Sequence, residues 1–483
     1  MHSSRITRRR TTQLTRTAPV LVCLAAAFAR AEGLPGGTAA SASTPATAPA
    51  AGALLIVAPQ RFHDALKDFV AFKRRLMKVE LAGLESILKD GAGADDPERL
   101  KRFLYAAWKE RRAGYCLLVG DADVLPVRYM VLDRVTPAAF DYAFYPSDLY
   151  YADLAGPDGS FDDWNARKDG FHARYYGEVR GEKNKDDPIN FDAIDYRPEL
   201  ALGRWPVSTP EEVRMVAGKS MRYERSPSGS AGGGRRAAFI MVGGWVDARA
   251  RMDRFADRLP SGWTIEKRYY TDKGQTPATP PPDEKNVVEL LNGGVRLMLH
   301  AGHGQDHRWE QSLTVRSLQR LTNADRLPII LSAGCSTARF ATLPPYEAYV
   351  DVDGNAHVGT DKGEVFTGPP PPPAPYQSGR YNPPGLGEQL LRAGPNGAVA
   401  YFGCNTGSQP CGLTLLEGFV DALARSGPSP RLGDCWKGAV AYYYDRERLA
   451  TIKPTRDWYP ASIFFQGMKF MLFGDPTLPV GGS

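Results

Sequence analysis

Leu297-Met-Leu-His-Ala-Gly-His303-Gly304 and Ile329-Ile-Leu-Ser-Ala-Gly-Cys335 decide how this chain is read. Each is an apolar run as long as a buried strand, and each breaks off at a glycine. Runs without polar alternation fit strands covered on both faces, as in parallel sheets. Just past each run stands one side chain able to do chemistry. A histidine and a cysteine at neighbouring strand ends are the minimal parts of a thiol hydrolase, the sulfur attacking and the imidazole moving protons.

The same pattern recurs outward from this pair. Ala53-Leu-Leu-Ile-Val-Ala58, Tyr115-Cys-Leu-Leu-Val-Gly120, Glu199-Leu-Ala-Leu-Gly-Arg204, Ala237 to Val242, Thr264 to Tyr270 and Gly397 to Phe402 read as further strands. Helical periodicity fills the spaces through Phe69 to Leu88, Pro97 to Arg111, Ala248 to Leu259, Asn286 to Leu291 and Leu386 to Arg392. Strands alternating with helices predict an α/β fold with mostly parallel sheets. The Ser, Gly and Pro stretch from Ser226 to Gly234 marks a linker, residues 226–236. It divides two consecutive α/β subdomains, residues 53–225 and 237–483. Residues 341–385, with prolines from Pro369 to Pro373, form a long irregular insertion in the second.

The 483 residues carry a formal charge of +6, but six arginines and no acid fall within residues 1–31. Without them basic and acidic residues balance, so composition gives no argument for nucleic acid or a membrane surface. The arginine-rich start, the apolar stretch Ala18 to Ala29 and small residues at Ala29 and Ala31 read as a signal peptide, residues 1–31. Thr7-Arg8-Arg9-Arg10 also permits a twin-arginine reading. Residues 32–52 are an Ala/Pro/Thr-rich disordered spacer. No other segment has the length of a membrane span. The expectation is an exported protein, secreted or periplasmic. Five cysteines follow the leader: Cys116, Cys335, Cys404, Cys411 and Cys435. An odd number leaves one thiol unpaired, expected at Cys335. Cys404 and Cys411 are close enough for a small-loop disulfide, and Cys116 reads as a small buried hydrophobe.

The residues around His303 and Cys335 resemble the gingipain family of cysteine peptidases in the caspase-like clan. That clan carries an apolar strand ending in His-Gly and a later one ending in Ala-Cys or Gly-Cys. Further likenesses lie in Leu117-Leu-Val-Gly-Asp121, Ser147-Asp148, Ala201-Leu-Gly-Arg204, Asn292-Gly-Gly294 and Phe473-Gly-Asp-Pro476, so the resemblance spans roughly residues 53–480. It implies a caspase-like second subdomain and a peptidase acting on protein or peptide substrates. Family members also carry a long pro-segment and an immunoglobulin-like domain, neither of which is recognisable here. Latency, on this reading, would reside in the 341–385 insertion lying over the site.

The chemistry assigns Cys335 as the nucleophile that forms a thioester and His303 as general acid and base. The N–H groups of Gly304 and Cys335 are the expected oxyanion donors. His300 and His307 compete for the histidine role. Three histidines in eight residues also raise zinc, without the cysteine or carboxylate ligands that would complete a site. No cofactor is required. Asp247 is the candidate carboxylate for a basic residue before the cleaved bond, although Gly243-Gly244-Trp245 departs from the arginine-specific pattern. Asp163, Asn165 and Asp169 are oxygen donors in a loop that loosely resembles a structural calcium site, the alternative being a solvated acidic loop. Two other functions stay open: a self-processing or transamidating thiol enzyme, and a catalytically silent extracellular binding protein that keeps the fold.

Overall fold

A computed structural model of the chain describes residues 52–131, 144–164, 194–226, 234–344, 347–359, 371–377, 383–427, 429–453 and 461–480. The leader, almost all of the spacer and the centre of the linker lie outside them. The first α/β series supplies β1 (Ala53–Ala58), β2 (Val79–Gly83), β3 (Ala113–Val119) and β4 (Ala201–Trp205). The second supplies β5 (Arg236–Met241), β6 (Thr264–Tyr269), β7 (Leu297–Ala301), β8 (Ile329–Ser332), β9 (Ala400–Cys404) and β10 (Phe470–Phe473). All of them join one ten-stranded sheet in the order β2-β1-β3-β4-β10-β9-β8-β7-β5-β6.

Pairing is parallel from β2 to β10 and again from β9 to β6. Only β9 and β10 pair antiparallel. The two parallel blocks of the one sheet run in opposite directions and follow the two series of the sequence except at β10, which comes from the second series and joins the first block; Ala50–Ser483 is one compact unit. Strand ends that carry Gly120-Asp121 and those that carry His303 and Cys335 leave by opposite edges.

Helices cover both faces: α1 (His63–Lys73), α2 (Leu84–Asp90), α3 (Asp96–Arg111), α4 (Pro210–Arg225), α5 (Arg249–Arg258), α6 (Glu284–Asn292), α7 (Leu386–Arg392), α8 (Gly412–Arg425) and α9 (Leu432–Arg446). Alternate strand residues serve opposite layers, as a two-residue period requires. Leu54, Ile56, Ile240, Met298 and Ile330 pack with Phe69 of α1, Val213 of α4, Val287 of α6 and Leu390 of α7. Leu55, Val57, Phe239, Leu299 and Leu331 pack with Leu104 of α3, Phe255 of α5, Phe419 of α8 and Trp436 of α9. Local signals fix the helix starts. Asp95 caps α3 by accepting from Glu98 N at 3.0 Å, and Thr209 and Glu212 cap α4 reciprocally, each cap stabilising its helix by about 1 kcal/mol.

Two expectations change. The helix through Phe69 to Leu88 is broken: α1 stops at Lys73, Val79–Gly83 pairs with β1, and α2 starts at Leu84. Pairing satisfies backbone groups on the open side of β1, a non-local gain that helical periodicity does not register. Cys404 and Cys411 are free thiols and form no disulfide. Cys404 is buried on β9, and Gln466 donates to its sulfur from another segment. The described parts of the 341–385 insertion are ordered around Asp351. Its carboxylate accepts from the N–H groups of Asp353 and Asn355, and His357 Nε2 lies 3.0 Å away. Tyr376 then donates to Asp96, and Pro375 O accepts from Val127 N, which anchors the insertion on the first block.

Several family-like motifs are structural. Arg204 is buried and donates two hydrogen bonds of 2.7 Å to Asp148 and one of 2.8 Å to Gly120 O. Asp475, also buried, pairs with the buried Lys73 of α1 at 2.7 Å, and Lys73 further contacts Glu224 and donates to Thr477. This ties the strand β10 to the first helix. Lys73→Met would leave Asp475 buried without its cation, and should lower stability by about 3–5 kcal/mol, read as a fall in the denaturant midpoint. Arg214→Met, which removes the exposed pair with Asp64, should leave the midpoint where it was.

Candidate active site

Leu297 to His300 of β7 lie beside Ile329 to Ser332 of β8 in parallel register. Gly302-His303-Gly304 and Ala333-Gly334-Cys335 thus leave the same sheet edge next to each other. β5 and β9 flank them and send Gly243-Gly244 and Asn405 to Ser408 out of that edge too. Crevices outside the carboxyl ends of strands are where open α/β sheets place ligands.

Glycine lets the two loops meet. A Cβ on Gly304 would fall 2.7 Å from Cys335 O and 2.8 Å from Gly334 C, so no larger residue fits without separating them. His303 Nε2 lies 2.8 Å from Gly244 O. A carbonyl only accepts, so Nε2 carries the hydrogen and Nδ1 is left to exchange protons. Gly244 offers that carbonyl from φ +92, a backbone conformation open to glycine. At Cys335, Ser408 N–H points to Sγ at 3.2 Å, and the thiol in turn lies 3.5 Å from Ser408 O, to which it donates. Ser336 follows with φ 58, unusual for a residue with a side chain. Its N–H donates to Thr406 O at 2.7 Å, which pins the turn onto the loop that follows β9.

Beneath both loops lies a buried polar brace. His300 is fully buried, and loss of solvent pushes its pKa down to about 3. Its ring stacks on Trp309 at 4.1 Å, and its Nδ1 meets Ser332 Oγ at 2.9 Å. Ser332 Oγ also accepts from Gly334 N at 3.1 Å. The indole of Trp309 donates to Tyr401 OH at 3.0 Å. The three histidines therefore part company. His300 faces the core, His303 reaches Gly244, and His307 stands exposed beside Asp306 at 2.6 Å.

Asp247 lies three residues beyond Gly244, with its carboxylate held by Arg249 through bonds of 2.9 and 2.7 Å. Those hydrogen bonds keep it below the usual carboxylate range. Arg249 also pairs with Asp272 at 2.8 Å. Asn165 and Asp169 lie outside the described residues, and Asp163 falls at their border. Among the described residues no group of three His, Cys, Asp or Glu side chains is placed to hold a metal. Sequence reasoning overlooked Gly244, Ser332 and Ser408. Gly244 and Ser408 follow apolar runs that end in small residues, the same signal that singled out His303 and Cys335.

The family model for peptidase family C25 matches residues 47–481. The chain belongs to peptidase family C25. Gingipain R2 of Porphyromonas gingivalis is 23% identical over 306 residues, 60% of this chain and 33% of that protein. Lys-gingipain of the same organism is 25% identical over 171 residues. An uncharacterized protein of Archaeoglobus fulgidus is 23% identical over 374 residues, 70% of each chain. This C25 chain thus spans about a third of the length of gingipain R2. The crystal structure of the Arg-specific cysteine proteinase gingipain R matches with a TM-score of 0.58 at 17% identity, covering 90% of this chain and 80% of that one. The C25 chain therefore has the caspase-like fold of that structure. No helix among the described residues is long and apolar enough to cross a membrane.

Gly304→Ala should force the loops apart and slow alkylation of Cys335 at least tenfold at pH 7, with the circular dichroism spectrum unchanged. His300 carries a separate signature. It stays neutral in the fold down to about 3, whereas a histidine in the unfolded chain protonates near about pH 6.5. Between those values the unfolded chain binds the extra proton, so stability falls as pH drops through the window. His300→Gln should flatten that slope in pH-dependent denaturation relative to the parent chain.

Proposed function

We propose that this C25 chain is an exported cysteine endopeptidase that hydrolyses peptide bonds through a thioester on Cys335. The observation that carries the proposal is the contact of Gly304 with Gly334-Cys335, which joins the histidine and cysteine loops at one sheet edge. Nδ1 of His303 takes the proton of the Cys335 thiol as Sγ attacks the scissile carbonyl carbon. The N–H groups of Gly304 and Cys335 take the oxyanion. His303 gives its proton from Nδ1 to the leaving amine, then removes one from the water that hydrolyses the thioester. The Gly244 carbonyl orients the imidazole in the place where a carboxylate would otherwise stand. Substrates are proteins or peptides, and the reaction uses no cofactor. Calcium, held by Asp163, Asn165 and Asp169, belongs to the same proposal as a structural ion only. The arginine-rich leader supports export to the periplasm or beyond.

Cleavage of a diverse peptide library by residues 32–483, with and without Cys335→Ala, tests the reading. Turnover should fall at least a thousandfold in Cys335→Ala and in His303→Ala, while binding of uncleaved peptide persists. Cleavage retained in Cys335→Ala would sink the mechanism. Amine incorporation in place of hydrolysis would identify a transamidating enzyme, and an unreactive Cys335 a binding protein.

A basic residue before the cleaved bond would have to displace Arg249 from Asp247. Arg249→Ala should therefore raise kcat/KM for substrates with arginine at that position relative to those with alanine. An unchanged ratio would remove Asp247 from the specificity pocket.

A further inference from the structure

On α5, Arg251, Arg254 and Arg258 are spaced by three and four residues, which sets them along one side of the helix. The opposite side is apolar, with Met252, Phe255 and Ala256 in the core. The three arginines, with Thr414 and Glu417 of α8 and Arg446 and Glu447 at the end of α9, line a cavity of about 400 Å³.

Both carboxylates in its wall are already engaged. Glu417 accepts from Arg251 at 2.8 Å, Arg258 at 2.8 Å and Tyr442 OH at 3.1 Å. Glu447 accepts from Thr414 Oγ1 at 2.7 Å, and Arg251 donates to the same hydroxyl at 2.9 Å. Arg254 and Arg446 are exposed and make no ion pair or hydrogen bond among the described residues. Two guanidinium groups without a counter-anion thus line one concavity, and planar guanidinium forks bind carboxylates in paired hydrogen bonds. The volume suits side chains rather than a folded domain.

The cavity is within reach of Cys335. Ser408 N touches Sγ at 3.2 Å, and Thr414 lies six residues further along the chain. At about 3.5 Å per residue the wall stands within about 25 Å of the sulfur, a distance that about seven extended residues cover. Arg251 is likewise seven residues beyond Gly244.

We propose that this cavity is an exosite for a carboxylate-rich segment of the polypeptide substrate, with Arg254 and Arg446 as its anion contacts. The assignment rests on the peptidase reading of Cys335. A substrate whose acidic stretch lies up to about seven residues from the cleaved bond engages both places at once. Attraction of this kind, at a half-open surface, weakens with salt.

The test separates the exosite from the chemistry. A fluorescent peptide carrying six glutamates is titrated with the Cys335→Ala chain and with the same chain bearing Arg254→Glu and Arg446→Glu. Anisotropy should show saturable, salt-sensitive binding to the first and at least tenfold weaker binding to the second. Arg254→Gln with Arg446→Gln should lie between them, and thermal denaturation checks that the folds are equal. Equal affinities, or displacement of the peptide by an equal concentration of inorganic phosphate, would overturn the proposal.

Cleavage is then compared for two peptides with the same scissile bond, flanked by a glutamate or a glutamine run. The parent chain should favour the glutamate peptide in KM, and the charge-reversed variant should lose the preference with kcat unchanged on the glutamine peptide. The same preference in both chains would also overturn the exosite. Specific binding without cleavage of either peptide would leave the anion site in place and remove the peptidase reading.

Discussion

A parallel block cannot be extended sideways by a strand of the opposite direction without changing its hydrogen-bond ladder, and this sheet makes that change once. β10 accepts the antiparallel pairing of β9 on one side and lies parallel to β4 on the other. Because it is central, its backbone groups have no water to fall back on, and both ladders must form. The buried contact of Lys73 with Asp475 fixes the end of β10 against α1. Reversing direction at this seam also separates two sets of strand ends. One edge carries Asp121, in an ion pair with Arg392 of α7, and the other carries His303 and Cys335.

At the second edge, position is set by small residues and neutral groups. Gly304 allows two backbones to touch, and Gly244 turns its carbonyl towards an imidazole. A carbonyl holds the ring in place and fixes the hydrogen on Nε2, but adds less stabilisation to an imidazolium than a carboxylate would. Underneath, His300 and Ser332 tie β7 to the Gly334 amide without introducing a charge. Charges stand beside this brace, Asp306 with Arg339 and His307, and further along at Asp247 with Arg249 and on the arginine face of α5.

Much of this was legible because the relevant signals are short and local. An apolar run ended by glycine places His303 and Cys335 just past strands, and the parallel α/β class follows from how often such runs alternate with helical patterns. What was not legible depends on partners far away in the chain. Val79–Gly83 looks like the continuation of a helix until β1 offers it an edge. Asp148 and Asp475 stand in family-like motifs whose letters do not show that Arg204 and Lys73 are buried against them. Ser408 carried a readable signal, yet its distinguishing feature is a backbone N–H, and residue identity says nothing about where that group points. Within the 341–385 insertion, the described turn after Asp351 is held by that residue's carboxylate rather than by any periodicity.

The loop that presents Ser408 to sulfur is held from the far end of the chain. Asn405 N donates to Lys469 O at 2.8 Å, and Gln409 N donates to the side chain of Gln466 at 2.8 Å, both just before β10. The amide that faces the Cys335 sulfur is therefore held in place by groups more than fifty residues further along the chain. A change at Gln466 or Lys469 would reach that thiol without touching it.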